Sequence, residues 1–180
     1  MFLEWRITDN IATLSVQEFD AEWNGIYGFM QTSIFDVTLG FIPPATSGLE
    51  GNDNILYWMT IMVECGLRIL QKKEYEAQLL SYNLLRLNIQ CKESVHIDLI
   101  KAETGELYMH KELSYDEAMY EIISNAKRFE SFVDKNNPSL RQAKLIQLFT
   151  EKLSVLQNEL GLTVFANMLL GDVNISTRYI

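Results

Sequence analysis

The stretch of sequence that decides the fold is LRLNIQCKESVHIDLIKAETGELYMHKEL, residues 85–113. Apolar residues alternate with polar ones on both sides of Lys92-Glu93-Ser94, which is the two-residue period of half-buried strands. The loop must hold three residues, because a two-residue loop would set the first apolar series opposite His96 and Asp98. The resulting register pairs apolar residues with one another: Cys91 with Val95, Ile89 with Ile97 and Leu87 with Leu99.

A second turn, at Glu103-Thr104-Gly105, continues this pattern into a third strand. Across that turn the register gives two further pairs, Leu99 with Met109 and Lys101 with Leu107. The sequence therefore predicts a three-stranded antiparallel meander from about Leu84 to Leu113, with one apolar face.

The N-terminal region shows the same alternation twice. Apolar residues alternate with polar ones over residues 3–7 and again over 12–16. A two-residue turn at Asp9-Asn10 would bring both series into one register, so the pattern predicts a hairpin. Residues 26–42 are rich in aromatic and β-branched residues and predict one long bent strand or two short ones, followed by a loop over 43–51.

Three main helices are predicted after these strands. The first runs from about Asp53 to Lys73, with Asn52 or Asp53 as its cap. The second opens at a capping box, Ser114 to Glu117, and the third starts at Asn137-Pro138 and ends at Gly161. The third helix has an apolar stripe, formed by Leu145, Phe149, Leu153, Leu156 and Leu160.

The fold class that follows is α+β, a mainly antiparallel sheet with three main helices packed on it. The sheet would consist of the N-terminal hairpin and the meander. Residues 1–180 are expected to form a single domain, with about 138–180 as a helical extension packed on it. The pattern over 162–180 leaves strand, short helix and loop open.

The composition limits the functions that this chain can have. It has 180 residues with 24 acidic and 15 basic side chains, a net charge of −9. A negative surface repels the phosphate backbone, so a basic protein is a more favourable partner than nucleic acid. No apolar run is long enough for a membrane span, and the N-terminus lacks a signal-peptide pattern, which predicts a cytoplasmic protein. Cys65 and Cys91 lie in apolar company and fit free thiols in a reducing compartment.

The acidity is uneven, since residues 1–51 hold seven acidic side chains and one basic one. Within this region acidic and aromatic residues form a candidate partner-binding surface: Glu18, Phe19, Asp20, Glu22, Trp23 and Tyr27. Acidic groups steer a basic partner over a distance, and large aromatic rings act as rigid anchors. The alternative is that Phe19 and Trp23 pin the segment to the core while the acids stay in water.

The predicted meander also places both histidines of the chain on its polar face. Its register sets Asn88, Asp98 and His110 in one row across the strands, and Gln90, His96 and Glu112 in the next. His96, Asp98, His110 and Glu112 could bind a divalent metal or perform acid/base chemistry. The plainer interpretation is that the outer face of an antiparallel sheet is polar because it meets water.

The layout of the chain resembles small bacterial immunity proteins of polymorphic and contact-dependent toxin systems. The features that carry the resemblance are, in order, a Trp-bearing hairpin, Gly25-Ile26-Tyr27-Gly28, Gly40-Phe41-Ile42-Pro43, a Trp58-bearing helix, a meander and a helix. They cover roughly residues 3–134. The resemblance implies a cytoplasmic protein without catalytic activity that binds and occludes a cognate toxin domain, often a basic nuclease.

The functional hypothesis is an acidic, non-enzymatic protein-interaction module, most specifically an immunity protein that neutralises a basic toxin domain. It needs no cofactor. Two alternatives stay open: a metal-dependent or acid/base enzyme built on the histidine face, and a structural homodimer that pairs through the last helix.

Overall fold

The computed structural model describes residues 2–23, 25–34, 37–40, 53–78, 85–101 and 103–170. This part of the chain forms strands and helices in the following order: β1 Phe2–Ile7, α1 Val16–Glu18, β2 Tyr27–Ile34, β3 Val37–Gly40, β4 Asp53–Asn54, α2 Ile55–Leu70, β5 Tyr75–Gln78, β6 Leu85–Cys91, β7 Val95–Lys101, β8 Leu107–Leu113, α3 Tyr115–Asn136 and α4 Lys144–Leu170. Short 3₁₀ turns occupy Ile11–Thr13 and Pro138–Gln142, and a π-helical turn occupies Phe19–Trp23. The fold is α+β and its strands pair antiparallel, as predicted, but the described strands form two sheets, a first of β1–β4 and a second of β5–β8, where the sequence predicted one. In the described residues, no helix is both long and apolar enough to cross a membrane.

The predicted meander is confirmed as part of a four-stranded sheet in the order β5-β6-β7-β8. The three-residue loop and the register are those expected: Cys91 pairs with Val95, Ile89 with Ile97, Leu87 with Leu99, and Leu99 with Met109. One pair is wrong, since Leu107 lies opposite Ile100 and not Lys101, after an irregularity between Leu99 and Ile100. Lys101 instead closes the turn, its backbone N–H donating to the carbonyl of Glu106 at 2.9 Å. Strand β5 was not predicted.

The predicted N-terminal hairpin is wrong. β1 pairs antiparallel with β2, from Phe2 opposite Ser33 to Ile7 opposite Gly28. Residues 11–18 are instead mostly helical, because local hydrogen bonds compete with the ladder: the Asn10 side chain accepts the N–H of Ala12, and Ser15 forms a capping box. Gly28 is required in the pairing that does form, because a Cβ there would collide with the backbone of Arg6.

The aromatic and β-branched region forms two strands, β2 and β3, which pair with each other. Strand β4 also pairs with β2, so the start of α2 is tied to the first sheet. The loop predicted over 43–51 lies outside the described residues.

Helix α2 is the centre of the core, with nine of its residues buried. Its cap is neither Asn52 nor Asp53 but Asn54, whose side chain accepts the N–H of Tyr57 at 3.1 Å. The Asp53 carboxylate instead accepts the indole N–H of Trp58 at 2.6 Å. At Gly66 the helix approaches α4 so closely that a Cβ would lie 2.8 Å from Leu156.

The capping box at Ser114 and Glu117 opens α3 as predicted. The start predicted for the last helix is wrong, since Pro138 opens a 3₁₀ turn and α4 begins at Lys144. The end is also wrong, because α4 runs through the exposed Gly161 to Leu170. The buried face of the helix takes Ile146 in place of the predicted Leu145, which is 36% exposed, together with Phe149, Leu153 and Leu156. Residues 171–180 lie outside the description.

Candidate functional site

The first candidate site is residues 15–23, named here the acidic segment, which comprises α1 and the π-helical turn after it. It starts with a reciprocal cap: the backbone N–H of Ser15 donates to the Glu18 carboxylate at 2.9 Å, and the N–H of Glu18 donates to Ser15 Oγ at 3.2 Å. The hydrogen bond from the Ser15 backbone lowers the pKa of Glu18. Glu18 is exposed, so the segment presents an ionised carboxylate to solvent.

Phe19 does not belong to the candidate surface. Its side chain is fully buried in the hydrophobic core. It therefore stabilises the acidic segment from inside, and the structure places it where the alternative interpretation expected it. A buried ring is not accessible to a partner in this conformation.

Asp20 connects the acidic segment to the far end of the chain. Its Oδ1 accepts the backbone N–H of Lys144 at 2.9 Å, at the first residue of α4. The first N–H groups of a helix have no partner within it, and a carboxylate is favourable there. Asp20 thus has a structural role as well as a negative charge.

A third attachment comes from Asn137, whose side chain is buried between α3 and the following 3₁₀ turn. Its Nδ2 donates to the carbonyl of Ile11 at 2.7 Å and to that of Leu14 at 2.8 Å. These bonds fix the chain immediately before the acidic segment. The sequence signal for this role was weak, because an asparagine before a proline is typical of a helix cap.

The other members of the candidate partner-binding surface are Glu22, Trp23 and Tyr27. Glu22 is exposed. The side chain of Trp23 lies outside the described residues, so its predicted role stays a prediction. Tyr27 is half-buried on β2, and its backbone N–H donates to the Asp9 carboxylate at 2.6 Å. Burial raises the pKa of Asp9, against the lowering effect of that hydrogen bond.

The second candidate site is the histidine face, consisting of His96, Asp98, His110 and Glu112. The two predicted rows are present: Asn88 lies opposite Asp98 and Asp98 opposite His110, while Gln90 lies opposite His96 and His96 opposite Glu112. His110 Nδ1 lies 2.6 Å from Asp98 Oδ1. Ser94 Oγ contacts both Glu112 and His96, the latter at 3.2 Å from Nε2. The two imidazole rings are 5.6 Å apart between centroids.

This geometry orients the imidazoles but leaves them on the outside of a sheet. The His110 side chain is 45% exposed. Acid/base catalysis uses a concave site that excludes water, which an exposed sheet face does not provide. Among the side chains that the structure describes, no three His, Cys, Asp or Glu residues are arranged to hold a metal ion. Both predicted rows are correct, and their geometry does not favour the metal alternative.

The two cysteines lie apart from both sites. Cys65 is buried in α2 and Cys91 is half-buried at the end of β6. Burial raises the pKa of both thiols. Neither therefore has the electropositive, accessible surroundings of a reactive thiolate.

Comparisons with protein-family models, with curated proteins and with solved structures give no match for this chain.

Proposed function

We propose that the chain is an acidic protein-interaction module that binds a basic protein partner through the acidic segment. The observation that carries the proposal is that this segment is held in place before any partner arrives. The Ser15 cap orders it internally, and the buried Phe19 ring and the Asp20 bond to Lys144 attach it to the rest of the fold. A prearranged surface loses little conformational entropy on binding, which favours affinity.

The charge of the same region supports a basic partner. Residues 8–23 contain four acidic side chains, Asp9, Glu18, Asp20 and Glu22, and no basic one. Glu18 and Glu22 are exposed. Negative charges on one face of an acidic protein accelerate encounter with a positive surface, and the effect falls as salt rises.

In its most specific form, the proposal is a cytoplasmic immunity protein that neutralises a basic toxin domain. The support is the layout of the sequence, the net charge of −9 and the α+β fold. An inhibitor of this kind needs no catalytic group, which fits a chain whose histidines lie on an exposed sheet face.

The test must remove charge without damaging the fold. Reversing Glu18 or Asp20 to lysine would break a helix cap in each case, so it would confuse binding with stability. Glu18→Gln combined with Glu22→Gln removes two charges, and glutamine at the third position of a capping box keeps the cap. Glu93→Gln with Glu103→Gln is the matched control, since both residues are exposed and belong to turns of the second sheet.

The proposal predicts that the first pair of substitutions slows association with the partner roughly three- to tenfold at low salt. The control pair has the same net charge and should associate at the wild-type rate. If both pairs behave alike, overall charge and not the acidic segment determines binding.

A further inference from the structure

The outer face of α4 carries apolar side chains that nothing in the described structure covers. Among the side chains whose exposure the structure describes, five large apolar ones are exposed, and three of them lie on this helix: Leu145, Leu148 and Val155. Leu148 is 43% exposed and Val155 is 46% exposed. They are one heptad apart, so they lie within about 20° of each other around the helix and form one stripe.

The charges that continue this stripe make it self-complementary. Lys144 lies four residues before Leu148, and Glu159 lies four residues after Val155, so all four lie on one side of the helix. The stripe thus reads positive, apolar, apolar, negative. A second copy running in the opposite direction reads negative, apolar, apolar, positive.

We propose that two copies of this chain pair through α4, antiparallel, about a two-fold axis that passes between the two helices at the level of Glu151 and Lys152. In this register Leu148 of each copy meets Val155 of the other, and Lys144 meets Glu159 at both ends. A symmetric dimer must use one self-complementary patch, which is the property that this stripe has. A parallel pair would instead set Lys144 against Lys144 and Glu159 against Glu159. Glu151 lies at the edge of the stripe beside the axis, so the exposed Glu151 carboxylates of the two copies lie near each other and repel, and the apolar contact and the two Lys144–Glu159 contacts must outweigh this repulsion.

The helix is already packed against the core before pairing. Its opposite side buries Ile146, Phe149, Leu153 and Leu156 against the core, and Lys152 is bonded to Glu64 of α2. Pairing therefore orders only surface side chains. This inference does not depend on the proposed binding of a basic partner, because side chains of α4 alone make the contact between the copies; the acidic segment touches the stripe only through the bond from the Lys144 backbone to Asp20.

The experiment is sedimentation equilibrium of the full chain over a wide concentration range at low salt, with variants that test the contact and its register. The wild type is expected to show a monomer–dimer equilibrium. Leu148→Asp should abolish the dimer. Leu107→Asp, at a side chain that is 54% exposed on β8, should leave it unchanged.

The register is tested by exchanging charges. Lys144→Glu alone and Glu159→Lys alone each turn two attractive contacts into repulsive ones, and each should weaken the dimer roughly tenfold. The double variant Lys144→Glu/Glu159→Lys should restore wild-type association. A chain that stays monomeric at every concentration, a dimer unaffected by Leu148→Asp, or a double variant as weak as the single ones would overturn the proposal. Thermal unfolding of each variant separates a lost dimer from a lost fold.

Discussion

Replacing Asn137 with alanine tests how the acidic segment is held in place. The Asn137 side chain is buried, and its amide joins the α3–α4 junction to the carbonyls of Ile11 and Leu14, 126 and 123 positions away in sequence. The carbonyl of Ile11 also accepts the N–H of Leu14 at 3.3 Å, so it keeps one partner after the substitution. For the carbonyl of Leu14, the structure gives Asn137 as the partner.

The expected cost follows from these two bonds. Losing a hydrogen bond to a carbonyl that keeps another donor costs about 1 kcal/mol, and leaving a part-buried carbonyl unpaired costs about 1–3 kcal/mol. We expect Asn137→Ala to lower the free energy of unfolding by about 2 kcal/mol or more, which for a chain of this size lowers Tm by roughly 4–8 °C. The loss should be concentrated in residues 11–23, which would exchange amide hydrogens and be cleaved by proteases faster.

The assay is urea unfolding together with hydrogen exchange, and Asn136→Ala is the matched control. Asn136 is the exposed neighbour, and among the described residues its side chain bonds within α3, to the carbonyl of Phe132 at 2.7 Å. If Asn137→Ala were no less stable than Asn136→Ala, or if exchange over residues 11–23 did not change, the proposed attachment of the acidic segment would be refuted.

Two further predictions concern the contact between α2 and α4. Gly66→Ala should lower the free energy of unfolding in urea by about 1–3 kcal/mol, because its Cβ would lie 2.8 Å from Leu156. A Cβ at Gly161 would meet open space, so Gly161→Ala should stabilise α4 by up to about 1 kcal/mol. Equal effects at the two glycines would contradict the close packing at Gly66. The hydrogen bond from Lys152 lowers the pKa of Glu64, so the pair stabilises the fold above the ordinary carboxyl pKa and that stability is lost as the pH falls through the lowered value. Lys152→Met should therefore cost up to about 1 kcal/mol at neutral pH and nothing in acid, and a difference from the wild type that did not change with pH would show that the pair contributes no stability.

The parts of the fold that the sequence predicted are those set by local pattern. The meander of the second sheet could be predicted because the two-residue period and the three-residue loop at 92–94 together allow one register. That register also placed His96 and His110 correctly. The capping box at Ser114 could also be predicted from a local pattern, since its four residues are adjacent in the sequence.

The parts of the fold that were predicted wrongly depend on contacts between residues distant in sequence. The partner of β1 is β2. The alternation over 12–16 suggested a nearer partner, but Ser15 caps a helix there and no strand forms over these residues. A sequence pattern cannot show whether Phe19 points inward, because that depends on where α3 and α4 pack. The attachment by Asn137 spans most of the chain and has no local signature.

The central claim is that the acidic segment binds a basic partner, and one comparison tests it most directly. Wild type, Glu18→Gln/Glu22→Gln and Glu93→Gln/Glu103→Gln would be used side by side to capture proteins from the native host at low salt. The account predicts one stoichiometric basic protein on the wild type and the control, less of it on the Glu18/Glu22 variant, and loss from all three as salt rises. Equal capture by all three, or no partner even after crosslinking, would contradict it.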